Sequence, residues 1–263
     1  MNSSETDRLF ARRIAGGYEN DDASDALASL RANGSREIFE QALAWSTADD
    51  PMKRARSLDI LCQLRRASGE PRNPQWLYRE ESFKRIMEML AHEQVPMVLD
   101  SAVSALGHLG NEAGIPMILR YSDHPDRDVR FAATFALGCF PNDPRSVDAL
   151  LTLTTDSDSE VRDWATFGLG VQGDADSPEI REALLRCLND GDQDVREEAA
   201  VGLAKRRDQR VLPTLIEMLN EPDFSQRVAD AASALLELDR DPPDWTRDDY
   251  LSALRRKFNP ATK

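Results

Sequence analysis

A ten-residue stretch running from Val129 to Gly138 recurs from Val161 to Gly170 and again from Val195 to Ala204. Each copy opens on valine and arginine (Val129 and Arg130, Val161 and Arg162, Val195 and Arg196). An alanine follows four places after the valine (Ala133, Ala165, Ala199) and a leucine eight places after it (Leu137, Leu169, Leu203). Looser copies start at Val98 and Val228, so the starts step by 31, 32, 34 and 33 residues. A fixed period of that size, with the same apolar positions each time, predicts stacked supersecondary units that each contact their neighbours. The apolar spacing within each copy is helical. A preceding helix aligns as Ile115 and Leu119, Val147 and Leu151, Ile180 and Leu184, then Val211 and Leu215. The expected fold is therefore all-α, a right-handed α-solenoid of stacked antiparallel helix pairs.

Three segments follow from the punctuation. Residues 1–34 read as an N-terminal helical cap, with helices over Thr6–Ala15 and Ala23–Ala32 parted by Gly16 and Gly17. Residues 35–238 read as the array. Its first pair is degenerate, Arg36–Trp45 after the cap residue Ser35 and Met52–Arg66 after Pro51. An insertion at 67–77 breaks the period with two prolines and a glycine, and Trp76 is expected to fold it back before a helix over Tyr78–His92. Asp126, Asp158, Asp192 and Ser225 each stand three residues before a repeat valine, where a short oxygen side chain caps a helix. Residues 239–263 read as a C-terminal capping helix over Thr246–Phe258 after the run Asp239–Asp244, with Thr246 and Asp249 spaced as a capping box.

The pattern Asp-x-x-Val-Arg-x-x-Ala-x-x-(Ala/Gly)-Leu-Gly resembles HEAT repeats, and its short period is similar to the HEAT-like repeats of phycobilin lyases. The resemblance covers Ser35–Leu238 and is strongest over 93–206. It implies that Arg130, Arg162 and Arg196 pair with acidic groups of adjacent turns. It says little of function, since the repeat residues are those that stack.

Charge narrows the partners. The chain carries 33 basic and 47 acidic residues, and the excess lies in residues 93–240, where 14 basic face 28 acidic. Such a field repels phosphate backbones, which argues against nucleic acid and anionic membranes. Three scattered cysteines (Cys62, Cys139, Cys187) form no disulfide framework, and no apolar run long enough for a secretory signal or a membrane span is present. A cytoplasmic protein is expected.

Chemistry is sparse. HEAT-like deoxyhypusine hydroxylases hold two irons with repeated His-Glu pairs, and here the one such pair is His92-Glu93. No nucleophile elbow or phosphate loop occurs, and Gly168 to Gly170 closes a helix repeat without following a strand. HEAT-like DNA glycosylases use aromatics and one carboxylate, which Asp163 and Trp164 imitate, but they need a basic surface. No chromophore motif of a phycobilin lyase is recognisable. No cofactor or metal is expected.

The expectation is thus a non-enzymatic interaction protein, an adaptor, a regulator or a toxin-neutralising immunity protein, that grips a partner with a basic patch. The alternative is a lyase-like or base-excising enzyme. Helical geometry places the valine, +4 and +8 positions on the buried arc, so +2 and +6 are expected on the outward, concave face. Those positions supply the candidate binding residues Asp100, Phe131, Phe135, Asp163, Phe167, Glu197, Val201 and Asp230, with Trp164 beside them. Oligomeric state is not legible in the sequence.

Overall fold

The computed structural model describes residues 3–15, 20–66, 75–238 and 245–258. Among them the chain is helical, and its one β feature is an isolated antiparallel bridge between Arg65 and Trp76. It divides into two compact units, Met1–Phe140 and Pro141–Lys263.

The first unit holds α1 (Ser3–Ala15), α2 (Asp21–Ala32), α3 (Arg36–Trp45), α4 (Pro51–Leu61), α5 (Arg79–Leu90), α6 (Pro96–Leu109), α7 (Ile115–Leu119) and α8 (Arg127–Gly138). Leu9 and Phe10 of α1 and Leu30 of α2 join Ile38, Phe39, Ile60 and Leu61 in one core, so the N-terminal pair packs on the first repeat. The second helices α4, α6 and α8 pack in sequence. Gly107 is needed where α6 meets α8, because a Cβ there would lie 2.8 Å from the Ala136 backbone.

The second unit holds α9 (Pro144–Leu153), α10 (Ser159–Phe167), α11 (Pro178–Cys187), α12 (Gln193–Lys205), α13 (Leu212–Leu219), α14 (Gln226–Leu236) and α15 (Arg247–Phe258). Here α10, α12 and α14 stack in the same manner, and Tyr250, Leu251 and Leu254 of α15 cover the apolar end of α13 and α14.

The repeat positions do what their period predicts. Val98, Val129, Val161 and Val195 are fully buried, as are Ala133, Ala165 and Ala199. Asp126 Oδ1 accepts the amides of Asp128 and Val129, and Asp158 Oδ1 those of Glu160 and Val161. The arginines are positioned by a common device. Nη1 of Arg130 donates to the carbonyls six and five residues earlier, at 3.0 and 3.3 Å, and Arg162 and Arg196 do likewise. Arg54 in α4 makes the same pair of bonds to Ala48 and Asp49, which marks α3 and α4 as a true repeat despite their divergent sequence. Arg162 also grips Asp190 of the next turn at 2.8 and 2.9 Å, as the family resemblance implied.

Local expectations fail where long-range bonds take over the backbone. The helix expected over Met52–Arg66 stops at Leu61. Beyond it, Arg65 N–H donates to the Arg31 carbonyl at 2.9 Å and its carbonyl accepts Gly34 N–H at 3.0 Å. A Cβ on Gly34 would sit 2.7 Å from that carbonyl oxygen, so the close approach requires glycine. The bridge to Arg65, not burial of the indole, ties the insertion back: Trp76 stays 42% exposed under the Arg79 guanidinium. Tyr78 adopts a left-handed φ of 56° outside the next helix and stacks on Phe39 at 4.4 Å. Gly16, Gly17, most of the 67–77 insertion and the Asp239–Asp244 run lie outside the described residues.

A further departure follows Phe167, where α10 widens into a π-helical turn over Gly168–Gln172 and Gly173 N–H reaches the Gly168 carbonyl at 3.0 Å. Arg206 of the second unit fastens this turn by donating to the carbonyls of Leu169, Gly170, Gly173 and Ala175.

Candidate functional site

Each unit places its share of the candidate residues on second helices. In the first unit Asp100 lies on α6, and Phe131 and Phe135 lie on α8, all three half-buried. Phe135 meets the His108 ring edge-on at 5.0 Å. In the second unit α10 carries Asp163, Trp164 and Phe167, α12 carries Glu197 and Val201, and α14 carries Asp230.

The expectation that +2 and +6 project outward is corrected at two positions. Glu197 and Val201 are buried at 4% and 7% exposure, and the others are half-buried. The reason is the stagger of neighbouring second helices, which sets a +2 side chain against the capped N-terminus of the next one. Glu197 shows it directly: its carboxylate accepts the hydroxyl of Ser225, the cap residue of α14, at 2.5 Å and lies 3.9 Å from Arg227. Burial raises both Asp163 and Asp100, and like charge adds to it from the acids that open the next second helix, Asp192 and Asp194 at α12 and Asp126 and Asp128 at α8.

What the second unit brings together is an acidic cluster beside an aromatic pair. Asp163, Asp194, Glu197 and Glu198 converge on Arg227. Its Nε meets Glu198 Oε1 at 2.8 Å and its Nη1 pairs with Asp194. Burial pushes the Glu198 carboxyl up to about 7, with Arg227 opposing and Asp163, Asp194 and Glu197 adding. Burial likewise pushes Asp163 up to about 6, helped by Asp194 and opposed by Arg227. Asp163 Oδ1 is buried and has no hydrogen-bond partner. Next to it, Trp164 and Phe167 meet edge to face with ring centres 5.7 Å apart, both half-buried. Asp230 on α14 accepts from Gln226 at 2.9 Å.

Two members of this site, Glu198 and Arg227, were absent from the candidates. Their signal was present in the columns. The residue before the repeat valine is acidic at Asp128, Glu160 and Asp194 but basic at Arg227. The +3 position is small at Ser101, Ala132 and Ala231 but holds Glu198 and Trp164 in between. Among the described residues no group of three or more His, Cys, Asp or Glu side chains is arranged to hold a metal ion.

The family model for HEAT repeats matches residues 83–170 and 147–236, together more than half of the chain. The chain belongs to the HEAT-repeat family. No curated protein matches it. Among solved structures it is similar to the YibA protein of Escherichia coli, at 20% identity over 97% of this chain and 92% of that one, with a TM-score of 0.70. An engineered protein matches at 17% identity over 97% and 72%, with a TM-score of 0.51. Both likenesses are of fold.

The expectation that this HEAT protein is not an enzyme is withdrawn. Structures it aligns with include human deoxyhypusine hydroxylase (18% identity, 96% and 94% covered, TM-score 0.38). They also include the CpcE and CpcF complex of phycocyanin lyase from Nostoc (18%, 85% and 96%, 0.43). Likeness at this level carries neither activity over to this chain; stacked repeats are simply no ground for inferring the absence of catalysis. No helix among the described residues is long and apolar enough to cross a membrane.

Proposed function

We propose that this HEAT-repeat protein binds a partner protein through the α10–α12 face of its second unit, and that the partner contributes a basic patch. The observation that carries this reading is the company Asp163 keeps. A carboxylate oxygen shut off from water with no donor costs about 1–3 kcal/mol, more when charged. It lies beside a half-buried tryptophan and phenylalanine, the residue types that anchor interfaces. A lysine or arginine from a partner adds a second cation where Arg227 serves Asp194, Glu197 and Glu198, while its neighbours cover the rings, giving an apolar centre with a charged rim. The acidic excess over 93–240 favours such a protein over nucleic acid or an anionic membrane. Three free thiols at Cys62, Cys139 and Cys187 suit a reducing cytoplasm.

The test is a photo-reactive phenylalanine analogue placed at Phe167 in the native host, with the exposed Glu182 of α11 as the control position. The expected result is a discrete protein adduct at Phe167, mapping to a lysine- or arginine-rich segment, and none at Glu182. No adduct at Phe167, or the same products from both positions, contradicts the reading.

A further inference from the structure

Arg85 of α5 stands one place before the buried Ile86, and the matching places before Ile115, Val147, Ile180 and Val211 hold Gly114, Ser146, Glu179 and Arg210. Stacking therefore does not require an arginine there. The side edge of the Arg85 guanidinium is fixed, with Nε donating to Ser46 Oγ at 2.7 Å and Nη2 to the Ser46 carbonyl at 3.0 Å. Ser46 is buried at the close of α3, and its own hydroxyl donates to the Leu43 carbonyl at 2.7 Å. The end-on edge, Nη1 with the second hydrogen of Nη2, is left over. Its one ion-pair partner among the described residues is Glu88, 3.6 Å from Nη1, too far for a hydrogen bond and 52% exposed. Arg210 shows the contrast: its Nε and Nη2 take Asp208 at 2.9 and 2.6 Å and its Nη1 takes Glu182 at 2.6 Å, so carboxylates close both edges. Arg85 and Glu88 line an open cleft of about 350 Å³ with Ser46, Arg54, Glu93 and the exposed His92. Glu93 is already spent, holding Arg54 at 2.8 and 3.2 Å and accepting the amides of Gln94 and Val95. The acidic excess lies elsewhere in the chain, since residues 1–92 carry 14 basic and 15 acidic residues.

We propose that this cleft is an oxyanion site, in which a carboxylate or phosphate group takes the end-on edge of Arg85 with two oxygens and displaces Glu88. A guanidinium edge matches two oxygens of one oxyanion, and such charge-assisted pairs are the short, strong ones. Ser46 already holds the plane of Arg85, so little side-chain freedom is left to lose when a ligand arrives. Glu88 leaves at small cost, because a half-exposed pair at that distance contributes little. The site stands apart from the α10–α12 face and does not depend on what that face binds.

The test follows the nitrogen resonances of the full chain, backbone and Arg85 side chain, while inorganic phosphate or acetate replaces chloride at constant ionic strength. The expected result is saturable shifts centred on Arg85, Ser46 and Glu88, with a midpoint on the order of 1–10 mM. Saturation by phosphate alone assigns the site to phosphate groups, and saturation by acetate alone assigns it to carboxylates. Arg85→Lys keeps the charge and loses the fork, and should weaken binding at least about fivefold. Glu88→Gln leaves both Ser46 bonds in place and removes the competing carboxylate, so it should tighten binding by about two- to fivefold. Shifts that saturate with neither anion overturn the proposal. So does wild-type affinity in a folded Arg85→Lys chain, or Glu88→Gln binding no tighter than wild type.

Discussion

Asp163 and Asp190 belong to the same unit and titrate in opposite directions. Burial dominates at Asp163 and raises it, whereas at Asp190 the bidentate hydrogen bond from Arg162 leads and holds the carboxyl below its usual value, with Arg162 and Arg196 adding attraction. The stability that Asp190 contributes is therefore present above the unfolded value and is lost as pH falls through the acid range. Arg162→Ala should cost about 1.5–3 kcal/mol at neutral pH, the scale of hydrogen bonds to a charged group, in chemical denaturation. The deficit should shrink as pH falls below about 4 and on through the lowered folded value, beneath which Asp190 is protonated in folded and unfolded chains alike. An equal deficit at both pH values would leave Asp190 out of the account. At this scale the sequence was informative about identity and poor about direction. It marked Arg162 as a stacking residue and Asp163 as worth watching, yet it set Glu197 facing outward. A helical wheel fixes angles about one axis and is blind to the stagger of the next helix, which buries that carboxylate.

Among the elements, caps were legible, as were the helix ends at Ala15, Ala32, Trp45 and Phe258, and what was missed is what distant bonds decide. Caps are local chemistry, so Asp126, Asp158, Asp192 and Ser225 could be placed from the sequence, and each accepts the expected amides. The end of α4 depends on Arg31 and Gly34 across the fold, and the π-helical turn after Phe167 depends on Arg206, which sits 39 residues further on. That turn lets α10 approach α12 so closely that a Cβ on Gly202 would stand 2.6 Å from the Gly170 backbone. Gly202→Ala should therefore destabilise by about 1–3 kcal/mol, the usual cost of overpacking, despite alanine's better helix propensity. Gly191, in the loop before α12, has open space around it, and Gly191→Ala should change the melting temperature little. If the two variants behave alike, the glycine contact is not what sets the helix spacing.

Over the whole molecule the period announced the architecture, because the residues that repeat are those that stack, and Val98, Val129, Val161 and Val195 recur in the same fully buried setting. The same economy hides function: a binding face is made where the repeat is broken, and single departures such as Glu198, Trp164 and Arg227 are hard to tell from drift in one sequence. Their convergence needed the fold, which set a tryptophan and a phenylalanine beside carboxylates short of cations. The central claim, that this face holds a basic partner, is tested most directly by calorimetric affinity for the partner crosslinked at Phe167. Wild type, Trp164→Ala and Asp163→Ala should be compared across a range of salt. The account predicts a loss of at least about tenfold for each variant, near the 1.4 kcal/mol of a modest hot spot, in variants that remain folded, with Asp163→Ala melting no lower than wild type. It also predicts wild-type binding that weakens steadily as salt rises. Full affinity in both folded variants, or binding indifferent to salt, would contradict it.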